Sequence, residues 1–436
     1  MDSPNHSPTL PPSPTEILTF PLVKASNIPK AFNLFKTKIG SGTFLDLYAH
    51  NKHAKKHSNI LSSLEIEYLY AKQVTNLDIS SISSNLLHNS NFLTSLRLVF
   101  RWSQYISSLS LKTLAVSLKA TPSLQILDLN FMKCEEIKPD GLQTLAFGLS
   151  NLHSLHTLSL KFSDCNNLTD SSLRTLSISF KKLKFLTHLK LDFNACIKIS
   201  DSGLGFLAKG LKGLKRLQSL ALDFSCCDHI GDRGALALSK GLEVLRGLKS
   251  LKMRFPSTKI ENEGVRFISE GIKALGNLQD LSLDFSYCAE ISDKSMESLA
   301  FCLKGFALLE SLELIFSNCW EIKSEGMGLL AGCFGELRSL VRLNLQFALC
   351  EGILDEGMRY LSGGLVNLKS LEFVCLNFAS CWDITNEGVE ILGKGLKGLQ
   401  ALKVADLRFT YCRKVDHESL ESIVAGMSNV RIYFAC

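Results

Sequence analysis

The sequence predicts an α/β solenoid, a stack of strand-helix units with a parallel sheet along one face and helices along the other. Three observations carry this. Phe100, Phe131, Phe162, Phe193, Phe224, Phe255, Phe285, Phe316, Phe347, Phe378 and Phe409 follow one another at 31 residues, except for one step of 30. A fixed period of this length marks a repeat architecture. Within each period the apolar residues first alternate and then change to steps of three and four, the spacings of a strand and of a helix. Polar capping residues and glycines recur at the two ends of each helical stretch. A strand followed by a helix at constant period makes neighbouring strands parallel, with the helix as the crossover. A helical side longer than the strand side bends such a stack, which puts the strands on the concave face.

Composition agrees with one long array. Of 436 residues, 46% are hydrophobic and 21% are charged, a globular balance rather than that of a disordered chain. A repeat array grows by adding units to one core, so length sets no domain count. The net charge is +6, and residues 1–60 hold seven Lys against Asp2, Glu16 and Asp46, so the rest of the chain is close to neutral. That excludes a global bias towards nucleic acid or membrane. No run of eighteen apolar residues occurs, and the N-terminus lacks the basic and apolar regions of a signal peptide. An intracellular, cytoplasmic or nuclear, monomeric protein is expected.

Taken in order, residues 1–30 hold seven of the ten Pro, with Ser3-Pro4, Ser7-Pro8 and Ser13-Pro14 as repeated dipeptides. This predicts a disordered tail open to proline-directed phosphorylation. Residues 31–60 form a basic segment expected to cap the first repeat. Lys38-Ile39-Gly40-Ser41-Gly42-Thr43-Phe44 resembles the glycine-rich loop of a protein kinase, but Leu45 replaces the third glycine and the chain has no HRD or DFG triplet. His50, His53 and His57 lie among lysines and read as a solvated basic face. Repeats fill residues 61–436, degenerate at first (Leu61, Leu64, Ile66, Tyr68) and regular from Leu93, about eleven or twelve in all.

Each unit reads L-x-x-L-x-L-x-F-x-x-C-x-x-I-x-D-x-G-L-x-x-L-x-x-G-L-x-x-L. In the unit from Leu186 to Arg216, Leu189-Lys190-Leu191-Asp192-Phe193 is the strand. Leu204, Leu207, Leu211 and Leu214 are the inward stripe of the helix. Thr169-Asp170, Ser200-Asp201, Ser292-Asp293 and Thr385-Asn386 supply caps and negative charge at helix N-termini. Gly210, Gly241, Gly271, Gly364, Gly395 and Gly426 are expected as helix ends, with Lys212, Lys304 and Lys397 following. Nine cysteines, Cys134, Cys165, Cys196, Cys227, Cys288, Cys319, Cys350, Cys381 and Cys412, share one column. Equivalent side chains in a parallel stack point the same way, so buried free thiols are expected rather than disulfides or a metal site.

This pattern resembles the leucine-rich repeat family over residues 61–434. The C-x-x-I-x-D-x-G-L segment is similar to the cysteine-containing repeats of F-box substrate receptors, and the 31-residue period to the ribonuclease-inhibitor type; the Thr258 unit lacks the cysteine and one residue. The resemblance implies a horseshoe of repeats that binds another protein.

Function is sought where repeats differ. The position between the two strand leucines reads Arg97, Asp128, Ser159, Lys190, Ala221, Lys252, Ser282, Glu313, Asn344, Cys375 and Asp406. The position before Phe reads Val99, Asn130, Lys161, Asp192, Asp223, Arg254, Asp284, Ile315, Gln346, Asn377 and Arg408. The protein-binding set expected from these columns is Asp128, Asn130, Lys161, Lys190, Asp192, Asp223, Lys252, Arg254, Asp284, Glu313, Gln346 and Asn377. Trp320 and Trp382, each following a column cysteine, join it as interface anchors. The charge is mixed in sign, which suits a protein better than a phosphate backbone. No P-loop, nucleophile elbow, H-E-x-x-H or cofactor motif occurs. The reading is a non-enzymatic scaffold or adaptor without cofactor, metal, nucleic acid or membrane, holding a partner protein on its concave face. A ubiquitin-ligase substrate receptor is a second reading, on the cysteine-containing subtype and Pro14-Thr15-Glu16-Ile17-Leu18, although Pro21 and Pro29 interrupt the helices an F-box needs. A GTPase regulator resembling Ran GTPase-activating proteins is a third, resting on fold alone.

Overall fold

The structure, a computed structural model, describes residues 46–48, 63–68, 74–89, 92–424, 427 and 431–435. The chain divides into Met1–Lys38 and Ile39–Cys436, and every described residue belongs to the second unit. The Pro/Ser-rich tail, the Lys38–Phe44 stretch, the three histidines and most of the 31–60 segment therefore lie outside the described residues.

The strands in chain order are β1 (Asp46–Tyr48), β2 (Ser63–Tyr68), β3 (Ser95–Phe100), β4 (Ile126–Asn130), β5 (Thr157–Lys161), β6 (His188–Asp192), β7 (Ser219–Asp223), β8 (Ser250–Arg254), β9 (Asp280–Asp284), β10 (Ser311–Ile315), β11 (Arg342–Gln346), β12 (Phe373–Asn377), β13 (Val404–Arg408) and β14 (Arg431–Ala435). The helices are α1 (Asn76–Asn89), α2 (Ser108–Lys119), α3 (Pro139–Leu149), α4 (Asp170–Phe180), α5 (Asp201–Leu211), α6 (Asp232–Leu242), α7 (Asn262–Lys273), α8 (Asp293–Leu303), α9 (Ser324–Ala331), α10 (Asp355–Leu365), α11 (Asn386–Lys397) and α12 (His417–Val424). From β2 onwards each strand pairs in parallel with the next in the chain, giving one open sheet. β1 pairs antiparallel with β2, Leu47 opposite Ile66, and so lies along the edge that β2 would otherwise present. Strands sit about 4.8 Å apart and packed helices about 8–10 Å, so the sheet takes the inner side of the curve within this unit.

The core is built in columns. Each strand sends two leucine-type side chains inward, such as Leu189 and Leu191, and each helix returns three, such as Leu204, Leu207 and Leu211, all at most 2% exposed. The phenylalanines form a continuous spine from Phe100 to Phe409, stacked ring on ring at 5.7–6.2 Å. The column cysteines are free and buried. Each thiol donates to the phenylalanine carbonyl of the preceding repeat, as Cys196 Sγ does to Phe162 O at 3.2 Å. That carbonyl also accepts from a backbone N–H of its own repeat, Cys165 N to Phe162 O at 3.1 Å, so the thiol fills its second acceptor position. Burial pushes the Cys134 and Cys227 thiols up to about 12, which keeps them protonated as donors.

The polar columns do more than start helices. Ser200 and Thr385 cap α5 and α11 as expected. The acidic residue after the cap, however, reaches the next repeat. Asp170 accepts from Ser200 N at 2.8 Å and Ser200 Oγ at 2.7 Å, and Asp201 Oδ1 accepts from Gly231 N at 2.7 Å and Gly234 N at 2.9 Å. Asp355 holds Thr385 in the same way. This clamp explains the glycine two residues after the acid: a Cβ at Gly234 would stand 2.6 Å from Asp201 Oδ1. The other glycine column corrects the sequence reading. Gly210, Gly241, Gly271, Gly364 and Gly395 do not terminate helices but lie within them, because a Cβ at Gly210 would meet Ser177 Cα of α4 at 2.7 Å. They let adjacent helices approach; Gly426 is outside the described residues. The short unit loses its residue in the loop between Thr258 and Ile260, so the strand register on both sides is intact, Ser219 facing Ser250 and Ser250 facing Asp280.

Candidate functional site

Strand alternation turns the leucines inward and leaves two rows on the outer sheet face. The pairing register aligns them residue for residue, Lys190 with Ala221 and Ala221 with Lys252 in one row, Lys161 with Asp192 and Asp192 with Asp223 in the other.

The row before Phe is partly committed to the fold. Asn130, Asp192, Asp223, Asp284 and Asn377 each accept from the backbone N–H two residues on, at Met132, Asn194, Ser225, Ser286 and Ala379. These bonds hold the turn that leaves each strand. Val99, Asn130 and Asp284 are 1%, 2% and 4% exposed, so they do not form part of an accessible face, contrary to the outward placement expected from alternation. Burial pushes the Asp192 carboxyl above the usual range, with Asp223 beside it adding to the shift and the Ser163 hydroxyl, 2.6 Å away, opposing it.

Most of the remaining polar side chains fall into three linked groups and one separate pair. Arg97 pairs with Glu65 and with Asp128, the latter at 3.2 Å. Arg254 bridges Asp223 at 3.2 Å and Asp284 at 3.1 Å. A third group begins at Glu313, which accepts from Ser282 at 2.5 Å and Asn344 at 2.7 Å, and continues through Gln346 to Asn377. At the end of the face, Arg408 forks onto Asp406. Between these groups stand Lys161, Lys190 and Lys252, for which no carboxylate lies within ion-pair distance among the described residues. Lys190 and Lys252 are exposed and Lys161 is half-buried. Burial holds the Lys161 ammonium below the usual lysine range, although Asp128 pulls it back, while Lys190 and Arg97 press the same way as burial. Asp128 Oδ1 is buried without a hydrogen-bond partner.

Trp320 and Trp382 lie in the turns past the C-terminal ends of β10 and β12, 57% and 40% exposed. The Arg413 guanidinium of the next repeat covers the Trp382 ring at 5.4 Å, whereas among the described residues no cation covers Trp320. Three further exposed aromatics, Trp102, Tyr287 and Tyr411, escape the sequence reading. All three occupy a column that takes the left-handed conformation in every regular repeat, φ 64°, 60° and 63°, without a single glycine to announce it. Among the described residues no group of three or more His, Cys, Asp or Glu could hold a metal ion, and no helix is long and apolar enough to cross a membrane.

A family model described as Leucine Rich repeat matches residues 220–239, the span of β7 and most of α6. No curated protein matches the chain. Among solved structures, the Rad7 and Elc1 complex in yeast is similar at 19% identity over 82% of this chain and 82% of that chain, with a TM-score of 0.48. With parallel strands in unbroken order, a helix after each, and the matched repeat at their centre, the fold of this chain is an α/β leucine-rich-repeat solenoid.

Proposed function

We propose that this protein is a non-enzymatic scaffold or adaptor whose outer sheet face holds a partner protein. The observation that carries the reading is the pair Lys190 and Lys252. They stand exposed in one row with no carboxylate in ion-pair distance among the described residues, flanked by networks in which Arg97 and Arg254 are already paired with carboxylates. Fixed neighbours restrict the lysines' surroundings without consuming their charge, which suits recognition of acidic side chains on a mixed protein surface. Lys161 adds a partly desolvated cation to the same face, Glu313, Gln346 and Asn377 an acidic and amide-rich half. Trp320 and Trp382 offer aromatic anchors at the rim.

The test is affinity capture with quantitative mass spectrometry, comparing the natural chain with Lys190→Glu/Lys252→Glu. Neither lysine supports the fold, whereas exchanging Arg254 would strand Asp284 as a buried unpaired charge. The expected outcome is a protein enriched by the natural chain and lost from the variant at unchanged thermal midpoint. Identical capture by both would exclude the face.

A further inference from the structure

A second surface lies on the loop edge where helices return to strands. The loops α4–β6, α5–β7 and α6–β8 carry Lys181, Lys182, Lys184, Lys212, Lys215, Arg216, Arg246 and Lys249 against one acid, Glu243. All eight cations are exposed, and none has a carboxylate within ion-pair distance among the described residues. Lys184, Lys215 and Arg246 occupy the same position in consecutive repeats, so they form a row along the stack. Lys181 and Lys212 cap α4 and α5 and complement the helix dipoles. The other six lie beyond the helix ends, where the dipole's reach has faded. Neighbouring loops on this edge lack the feature: 150–156 and 274–279 contain no Lys or Arg.

Within the patch an open recess of about 410 Å³ is lined by His156, Phe185, Thr187, Lys215, Arg216 and Gln218, with Gly247 at its rim. Arg216 stacks over Phe185 at 4.8 Å and is held there. Phe185 and Val244 are 45% and 46% exposed among the cations.

We propose that this edge binds membranes that carry anionic phospholipid headgroups, with a headgroup phosphate seated in the recess between Lys215 and Arg216. The recess is open, and the Phe185 ring in its wall is already stacked by Arg216. A single strand of nucleic acid asks for free aromatic faces along a charged groove. Exposed apolar side chains among basic ones match the boundary of a lipid surface, where each cation near the surface strengthens binding about fivefold.

The experiment is sedimentation of the full chain with vesicles of phosphatidylcholine alone, with added phosphatidylserine, and with added phosphatidylinositol bisphosphate. The natural chain is expected to bind both anionic vesicles and not the neutral ones, with affinity falling steeply as salt rises. Lys184→Glu/Lys215→Glu/Arg246→Glu is expected to reduce anionic binding more than tenfold. The milder Lys184→Gln/Lys215→Gln/Arg246→Gln should reduce it less, both at unchanged thermal midpoint. The lysines of residues 1–60 are the same in all three proteins, so the difference reports this edge. Equal binding by natural and reversed chains overturns the proposal. So does tighter binding of a single-stranded oligonucleotide than of anionic vesicles, or an effect of free inositol phosphate with no binding to vesicles.

Discussion

At the residue scale, the clamp between Asp201 and Gly234 shows how one repeat fixes the next. Alanine is favoured over glycine in a helix interior by about 1 kcal/mol. Yet a Cβ at Gly234 would meet Asp201 Oδ1 at 2.6 Å and Leu204 Cδ1 at 3.1 Å. Gly234→Ala is therefore predicted to lower stability by about 1–3 kcal/mol in denaturant unfolding, the cost of displacing a half-buried carboxylate from its two backbone donors. The cost should shrink on an Asp201→Ala background, where the clash partner is gone. The left-handed column gives a prediction of opposite sign. Ser257 is exposed at φ 54°, and its N–H donates to Ser286 O at 2.9 Å. A left-handed residue costs roughly 1–2 kcal/mol and glycine's extra chain entropy about half of that. Ser257→Gly should thus raise stability by about 0.5–1 kcal/mol, and Ser257→Val lower it. The thiols supply a third test. Cys226 is exposed while the column cysteines are buried. Brief alkylation of the native protein at pH 8, read by peptide mass spectrometry, should label Cys226 first among the described cysteines and leave Cys165, Cys196 and Cys350 unlabelled until unfolding.

At the element scale, each strand-helix unit buries its apolar face only against its neighbours, so stability is a sum of unit and interface contributions. Phe224 sits in mid-spine between Phe193 and Phe255 at 5.9 and 6.1 Å. Phe224→Ala removes contacts with both and is predicted to cost about 3–5 kcal/mol. The expected unfolding is no longer one transition but two, because the array is broken at its centre. The short unit around Thr258 explains why an array tolerates a deletion. The missing residue comes from the loop, and Thr258 Oγ1 turns to the carbonyl of its own Phe255 at 2.8 Å where a cysteine would reach back. Strand, helix and caps were legible here because their periods and capping chemistry are local. The inter-repeat clamp and the helix-embedded glycines were not, because their partners lie some thirty residues away.

At the scale of the whole molecule, the architecture was readable from the phenylalanine spacing together with the change of apolar period inside each unit, while the site was readable only in outline. Alternation placed Asn130 and Asp284 outward with Lys190 and Lys252, but Asn130 and Asp284 turn back to the N–H groups of Met132 and Ser286 and are buried, while the two lysines are exposed. Summed charge likewise hid the basic loop edge, whose cations are offset by acids elsewhere on the array. The central claim, that the outer sheet face holds a protein, is tested most directly at Ala221. This small residue pairs in register with Lys190 on one side and Lys252 on the other. A photoreactive amino acid at Ala221 should crosslink a defined protein in cells, and the same group at Lys240, exposed on α6 of the opposite face, should not. No adduct at Ala221, or the same adducts at both positions, would contradict the account.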